Sequence, residues 1–257
     1  MRKTNGKNKK FWQFRAATDP GVGELLLYGE ISDVTWWGDE VTPKQFWDEL
    51  QALGDIKELR VYINSPGGDV FAGQAILSML NRHPAMVTVY IDGLAASAAS
   101  LVAMAGDKII MPRNAMMMIH NPWTIAWGDS NTFRQVADEL DKIRESMIPV
   151  YETRTGLPRD EIIKMLDAET WMTADEAVEL GFADEIEEAK QVAASVAGDR
   201  RIVVNGVECD LSKFRNPPKV FVVSEVKPKE TTETNAGADD KVKLMKLELE
   251  LLTGNSF

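Results

Sequence analysis

Short apolar or β-branched runs separated by turn residues recur through the first half of the chain: ELLLYGEI (24–31), LRVYIN (59–64), MVTVYID (86–92), KIIM (108–111) and MMMIHN (116–121). Runs of this length between Gly, Pro, Asn and Asp suit extended backbone, so each predicts a strand. Between them, Pro43 to Leu53, Val70 to Arg82 and Ala95 to Ala105 show helical spacing. Pro43 fits a first helical position and Pro84 stops the second helix. The alternation is βαβ. Strands read as apolar on both sides and joined through helices pack best as a mainly parallel sheet with right-handed crossovers, so the expected fold class is α/β. Ser130 to Thr155 predicts a long amphipathic helix, with Phe133, Val136, Leu140, Ile143, Met147 and Val150 three or four residues apart and Pro149 expected to kink it. Its stripe reads as core packing, with projection towards a neighbouring subunit as the alternative.

Past Glu187 the periodicity weakens. RIVVNGVECDL has apolar runs on either side of Asn205-Gly206, a strong hairpin signal. Five regions follow: a basic N-terminus (1–11), a domain (12–186), a small extension with a β-hairpin (187–224), a polar linker (225–241) and a short amphipathic end (242–257). The linker is rich in Thr, Glu, Asp and Lys and has too little apolar surface to offset the entropy of ordering.

Composition narrows the function. With 44% apolar and 27% charged residues in 257, the chain is globular, and a net charge of −11 opposes phosphate backbones and anionic lipid. We expect neither nucleic acid nor membrane as partner. The most apolar window, Gly93 to Gly106, is shorter than the ~20 residues that span a bilayer, and no export signal follows the basic N-terminus. A single cysteine, Cys209, cannot form an internal disulfide, which suits a reducing cytosol. Neither histidine has a second ligand at close spacing, so no metal is expected, and no cofactor motif is evident. There is no GxxxxGK[ST] run, so ATP-driven unfolding would need a partner.

Three constellations can carry chemistry. Asn64-Ser65-Pro66-Gly67-Gly68-Asp69 lies between a strand and a helix; its glycines permit positive φ, and free N–H groups there suit a developing oxyanion. A tight turn alone would also explain it. Gly93-Leu94-Ala95-Ala96-Ser97-Ala98-Ala99-Ser100 brings a serine to the start of a small-residue helix. Ser97 is the nucleophile candidate, and Ser100, one turn deeper, is expected to be buried. A serine needs a base, and the choice is His83 or His120. His83 sits at a helix C-terminus, where a structural role suffices. His120 ends an apolar strand and precedes Asn121-Pro122.

In this order the pieces resemble the Clp-type serine peptidases: YINSPGG (62–68), GLAASAAS (93–100), MMIHNP (117–122) and TADEAVELGFAD (173–184). The resemblance covers about residues 24–186. YGEISDVTWWGDEVTP (28–43) resembles the branch found in tailed-phage head-assembly modules, the head maturation (prohead) proteases. It implies a Clp/crotonase-like spiral of βαβ units with a projecting helical handle, here Ser130 to Thr155. It further implies Ser97 as nucleophile, His120 as general base, and Gly68 and Ala98 as oxyanion N–H donors. Gly67, Asp69, Val70, Asn121 and Pro122 would flank an extended polypeptide added as a strand. The third triad member departs from the pattern, since Glu169 falls where the family has aspartate and Asp167 lies two residues earlier. Both stay candidates.

The partners implied are capsid and scaffold polypeptides, portal or capsid contacts, and copies of the chain in a ring, heptameric or stacked. The place implied is the host bacterial cytoplasm or the prohead. Two alternatives remain: an inactive structural or assembly protein of the head, and a crotonase-like acyl-CoA enzyme, which needs no Ser–His pair.

Overall fold

The computed structural model describes residues 10–32, 43–188, 194–198 (backbone only) and 201–218. All lie in one compact unit spanning residues 1–222. Residues 1–9, most of the 28–43 motif, the linker 225–241 and the end 242–257 fall outside the described residues.

The chain enters as β1 (Trp12–Ala16), turns into β2 (Val22–Tyr28), and continues through α1 (Pro43–Gln51), β3 (Glu58–Ser65), α2 (Val70–Asn81) and β4 (Met86–Ala96). Then come α3 (Ala98–Ala103), β5 (Lys108–Pro112), β6 (Met116–Ile119), α4 (Ser130–Thr155), α5 (Arg159–Ala168), β7 (Thr170–Thr173), α6 (Ala174–Glu179) and β8 (Glu185–Glu187). The extension holds β9 (Ala194–Gly198), β10 (Arg201–Val204) and β11 (Val207–Asp210). Among the described residues, eight strands share one sheet in the order β1-β2-β3-β4-β5-β8, with β6 on β4 and β7 on β6. The fold is α/β and the sheet mainly parallel; only β1–β2 and β6–β7 run antiparallel.

Burial along β2 and β3 corrects one expectation. Leu25 and Leu27, and Leu59, Val61 and Ile63, are fully buried, whereas the residues between them are half-exposed through Tyr62. These strands are apolar on one face. The buried face packs against Phe46, Leu50, Ile76 and Leu80 of α1 and α2 in the main core. The other carries stacked Tyr62 and Tyr90 rings, 5.2 Å apart.

A second correction falls on Ala95 to Ala105. The strand runs on to Ala96, because Leu94, Ala95 and Ala96 pair with Met116, Met117 and Met118, and the helix is confined to Ala98–Ala103. Sheet pairing overrides the helical preference of alanine. In α4 the C-terminal half of the apolar stripe is core, with Met147 buried and Ile143 and Val150 packed against the main cluster, whereas Phe133, Val136 and Leu140 lie outside it and Phe133 is 53% exposed.

The β10–β11 hairpin turns at Asn205-Gly206 and lies across the sheet. Ile202, Val204, Cys209, Leu211 and Phe214 form a second apolar cluster with Leu94, Ala96 and Met118. Each large apolar side chain buried there contributes about 1.5–3 kcal/mol before the ordering cost of the segment is set against it. Two polar contacts fix the register: Asn64 donates from Nδ2 to the Val204 carbonyl at 2.7 Å, and Asn205 from Nδ2 to the Asp92 carbonyl at 2.6 Å. A Cβ on Gly93 would stand 2.6 Å from Val204 Cγ1, so the docked hairpin requires glycine there. No helix among the described residues is long and apolar enough to cross a membrane, and none of their side chains form a cluster suited to a metal ion.

Candidate active site

Strand register brings the three chemical groups together. The antiparallel pairing of β6 with β7 matches Ile119 with Thr170, so the next pair outward sets His120 opposite Glu169. The parallel pairing of β4 with β6 ends at Ala96 and Met118, and the Ser97 N–H prolongs it by donating to the Met118 carbonyl at 2.9 Å. Ser97 and His120 therefore emerge side by side. His120 Nε2 lies 2.8 Å from Ser97 Oγ.

Ser97 is the N-cap of α3 and holds φ 54°, ψ −127°, a positive-φ conformation outside the left-handed helical region that costs a non-glycine residue about 1–3 kcal/mol. That kink lifts Oγ off the sheet and leaves Ala98 as the first helical residue, whose N–H has no acceptor within the helix. Ser100 is fully buried and donates to the Ser97 carbonyl at 2.7 Å.

The glycine turn faces this kink. Gly67 (φ 92°) approaches so closely that a Cβ would lie 2.6 Å from Ser97 Cβ and 3.0 Å from Ala98 N. Ile31 bonds to the Gly67 carbonyl and the Asp69 N–H, each at 2.8 Å. Alternate residues of extended chain point to opposite edges, so Gly68, with φ 144°, directs its N–H away from Ile31. Among the described residues neither Gly68 N–H nor Ala98 N–H has an acceptor.

The acid side divides the two carboxylate candidates. Glu169 ends α5 in the left-handed region (φ 53°), and its side chain is buried with Oε2 3.8 Å from His120 Nδ1. That exceeds a hydrogen bond, so the carboxylate acts on the imidazole through its charge. Asp167 is exposed and turns elsewhere, accepting from Asn121 Nδ2 at 2.7 Å with Arg144 at 3.8 Å. Burial holds the His120 imidazole below its ordinary value of 6.5; the Glu169 charge opposes this, and the Arg215 charge adds to it. His83 lies apart from the site, its Nδ1 accepting from the Ala85 N–H at 3.2 Å.

A cleft of about 350 Å³ opens over Ser97 and His120. Gly67, Gly68, Val70, Ala98 and Pro122 line it, and Leu140, Ile143 and Met147 of α4 supply an apolar wall. Asp69 also borders it, but its carboxylate caps α2 through the Ala72 N–H at 2.7 Å. The Asn121 side chain turns to Asp167, donating from Nδ2 at 2.7 Å, and Asn121 is not among the residues lining the cleft.

A family model described as Clp protease matches residues 39–190. The chain belongs to the Clp protease family. As a Clp protease it is a peptidase of the serine type, and members of the family act on polypeptides and form oligomeric rings. The matched span contains both turns, Ser97, His120 and Glu169, and ends at residue 190.

Residues beyond the matched span also reach the Clp protease site. Lys213 and Phe214 line the cleft. The backbone N–H groups of Arg215 and Asn216 bond to the Glu169 carboxylate at 2.8 and 2.6 Å. The sequence offered no signal for the last two, because a main-chain N–H belongs to every residue but proline.

Proposed function

We propose that this Clp protease is an endopeptidase that cleaves capsid and scaffold polypeptides during tailed-phage head maturation, using Ser97, His120 and Glu169. The 2.8 Å contact between His120 Nε2 and Ser97 Oγ carries the reading. Ser97 Oγ attacks the scissile carbonyl while His120 Nε2 takes its proton; the carbonyl oxygen, now negative, is met by the N–H groups of Gly68 and Ala98. His120 then protonates the leaving amine, and a water molecule, activated by the same imidazole, releases the acyl group from Ser97. Glu169 faces Nδ1 and stabilises the imidazolium between the two transfers. The depressed basicity of His120 supports the role, since the base must begin neutral.

The substrate lies as an added strand along the free edge at Gly68, where main-chain bonds give affinity without strict sequence choice. The apolar α4 wall favours apolar side chains next to the cut. The phage assignment rests on the YGEISDVTWWGDEVTP motif, and with it go a ring of identical subunits, contacts to portal or capsid, and action in the host cytoplasm or inside the prohead.

Co-expression with the neighbouring capsid and scaffold proteins tests this, comparing wild type with Ser97→Ala by intact mass of every product. Shortened partners in wild type alone are expected. Identical masses from soluble, assembled protein would refute it and favour an inactive head protein. The Ser–His pair and the family match already weigh against a crotonase-like acyl-CoA enzyme.

A further inference from the structure

The extension beyond the matched peptidase span is bound to the active site through one carboxylate. Glu169 Oε2 accepts the Arg215 N–H at 2.8 Å; Oε1 accepts the Asn216 N–H at 2.6 Å and Trp171 Nε1 at 3.3 Å. Side chains of the same two residues serve the end of α5: Arg215 donates to the Asp167 carbonyl at 3.0 Å and Asn216 to the Ala168 carbonyl at 3.1 Å. Helix C-termini leave such carbonyls without intrahelical partners, so the extension closes both a helix end and a buried charge. Just upstream, Phe214 lies 5.9 Å from the His120 ring and edge-on to Trp171 at 5.4 Å. Lys213 pairs with Glu30 at 2.7 Å across the cleft rim.

We propose that Arg215 and Asn216, delivered by the β10–β11 hairpin, are positioning residues for catalysis: their two main-chain N–H groups hold the Glu169 carboxylate facing His120 Nδ1. This rests on Glu169 being the acid of the triad. A glutamate has one more rotatable bond than an aspartate, so a carboxylate on that longer arm needs an external hold. Two N–H groups in fixed relation, one on each oxygen, define both its position and its tilt. The hairpin carrying them is itself anchored through Asn64, Asn205 and the apolar cluster containing Cys209. A peptidase core without a docked hairpin then has its nucleophile and base but a wandering acid.

The test uses the full chain and a fluorophosphonate probe, reading the second-order rate of Ser97 labelling by intact mass with Ser97→Ala as blank. Asn216→Pro deletes one N–H, whereas Asn216→Ala keeps it and loses only the side-chain bond. Asn216→Pro is expected to label roughly tenfold or more slowly than Asn216→Ala. On a Glu169→Gln background that difference should shrink to near unity, which a merely structural role would not produce. Equal rates for the Pro and Ala variants, or faster labelling of the Pro variant, overturn the inference. Absence of labelling in wild type sinks the Ser97 reading itself, so the two failures are distinct.

Native alkylation of Cys209 by iodoacetamide reports docking, because the thiol is buried in the hairpin cluster. Should Asn216→Pro undock or fail to fold, Arg215→Pro against Arg215→Ala makes the same comparison at the other N–H, since alanine there keeps the amide and proline deletes it. Equal labelling rates for that pair likewise overturn the inference.

Discussion

Tyr151 and Ser100 link α4 to the backbone of the proposed nucleophile, and the direction of each bond can be deduced. Both residues are fully buried, and their hydroxyls lie 2.8 Å apart. Ser100 Oγ also reaches the Ser97 carbonyl at 2.7 Å. A carbonyl only accepts, so the single Ser100 hydrogen goes there and Tyr151 donates to Ser100. Burial raises the Tyr151 phenol above its ordinary value, which keeps that hydrogen in place.

Tyr151→Phe therefore removes one neutral hydrogen bond, at about 1 kcal/mol. Ser100→Ala strands the Tyr151 hydroxyl in a dry site, at about 2 kcal/mol. The Ser97 carbonyl is not stranded, because it also accepts the Ser100 N–H at 2.9 Å. In the double variant both hydroxyls are gone, and the cost should be about 1–2 kcal/mol instead of the additive ~3. Urea unfolding of the four proteins at a common m-value measures this, with heat scans expected to fall by roughly 4–8 °C for Ser100→Ala and 2–4 °C for Tyr151→Phe. Additive losses, or a smaller loss for Ser100→Ala than for Tyr151→Phe, would refute the assigned directions.

Four further outcomes are expected. Acylation needs neutral His120, whose pKa is lowered from 6.5 chiefly by burial, so the acid limb of kcat/KM on a peptide ester should fall below pH 6.5; a limb at neutral pH contradicts the burial. His83 and His120 are both lowered from 6.5 on folding, so the stability they contribute is full above that pH and declines as pH drops through their folded values, measured by urea midpoints across pH. Gly68→Ala places a Cβ 2.0 Å from the Ile31 carbonyl oxygen at φ 144°, and should lower stability by at least about 2 kcal/mol; a wild-type urea midpoint would count against the turn geometry. Glu169→Gln should slow Ser97 labelling on the order of 10²-fold, whereas Asp167→Asn changes it by less than about threefold, and the reverse order would transfer the acid role to Asp167.

Much of the peptidase core was legible because its signals are local. The run LRVYIN, the glycine pair and the apolar spacing of α2 each depend on residues within a few positions of one another, and β3, the turn and α2 lie where those signals put them. The N-terminal bound of α3 was not legible, since Ala95 and Ala96 have helical composition and become strand only through pairing with β6. Register explains the acid pair in the same way. Glu169 meets His120 because Thr170 pairs with Ile119, a relation between two segments that neither shows alone. The hold of Arg215 and Asn216 on Glu169 was hidden further still, since it acts through main-chain atoms across 46 and 47 positions of sequence.

That separation also orders events in time. A ribosome extends the chain from the N-terminus at about 5–20 residues per second, so Glu169 is made roughly 2–10 s before Asn216, 47 positions on. During that interval the nascent peptidase has its serine and histidine but lacks the amides that clasp its carboxylate. If the two amides position the carboxylate as proposed, the enzyme is least able to cut while it is still being made.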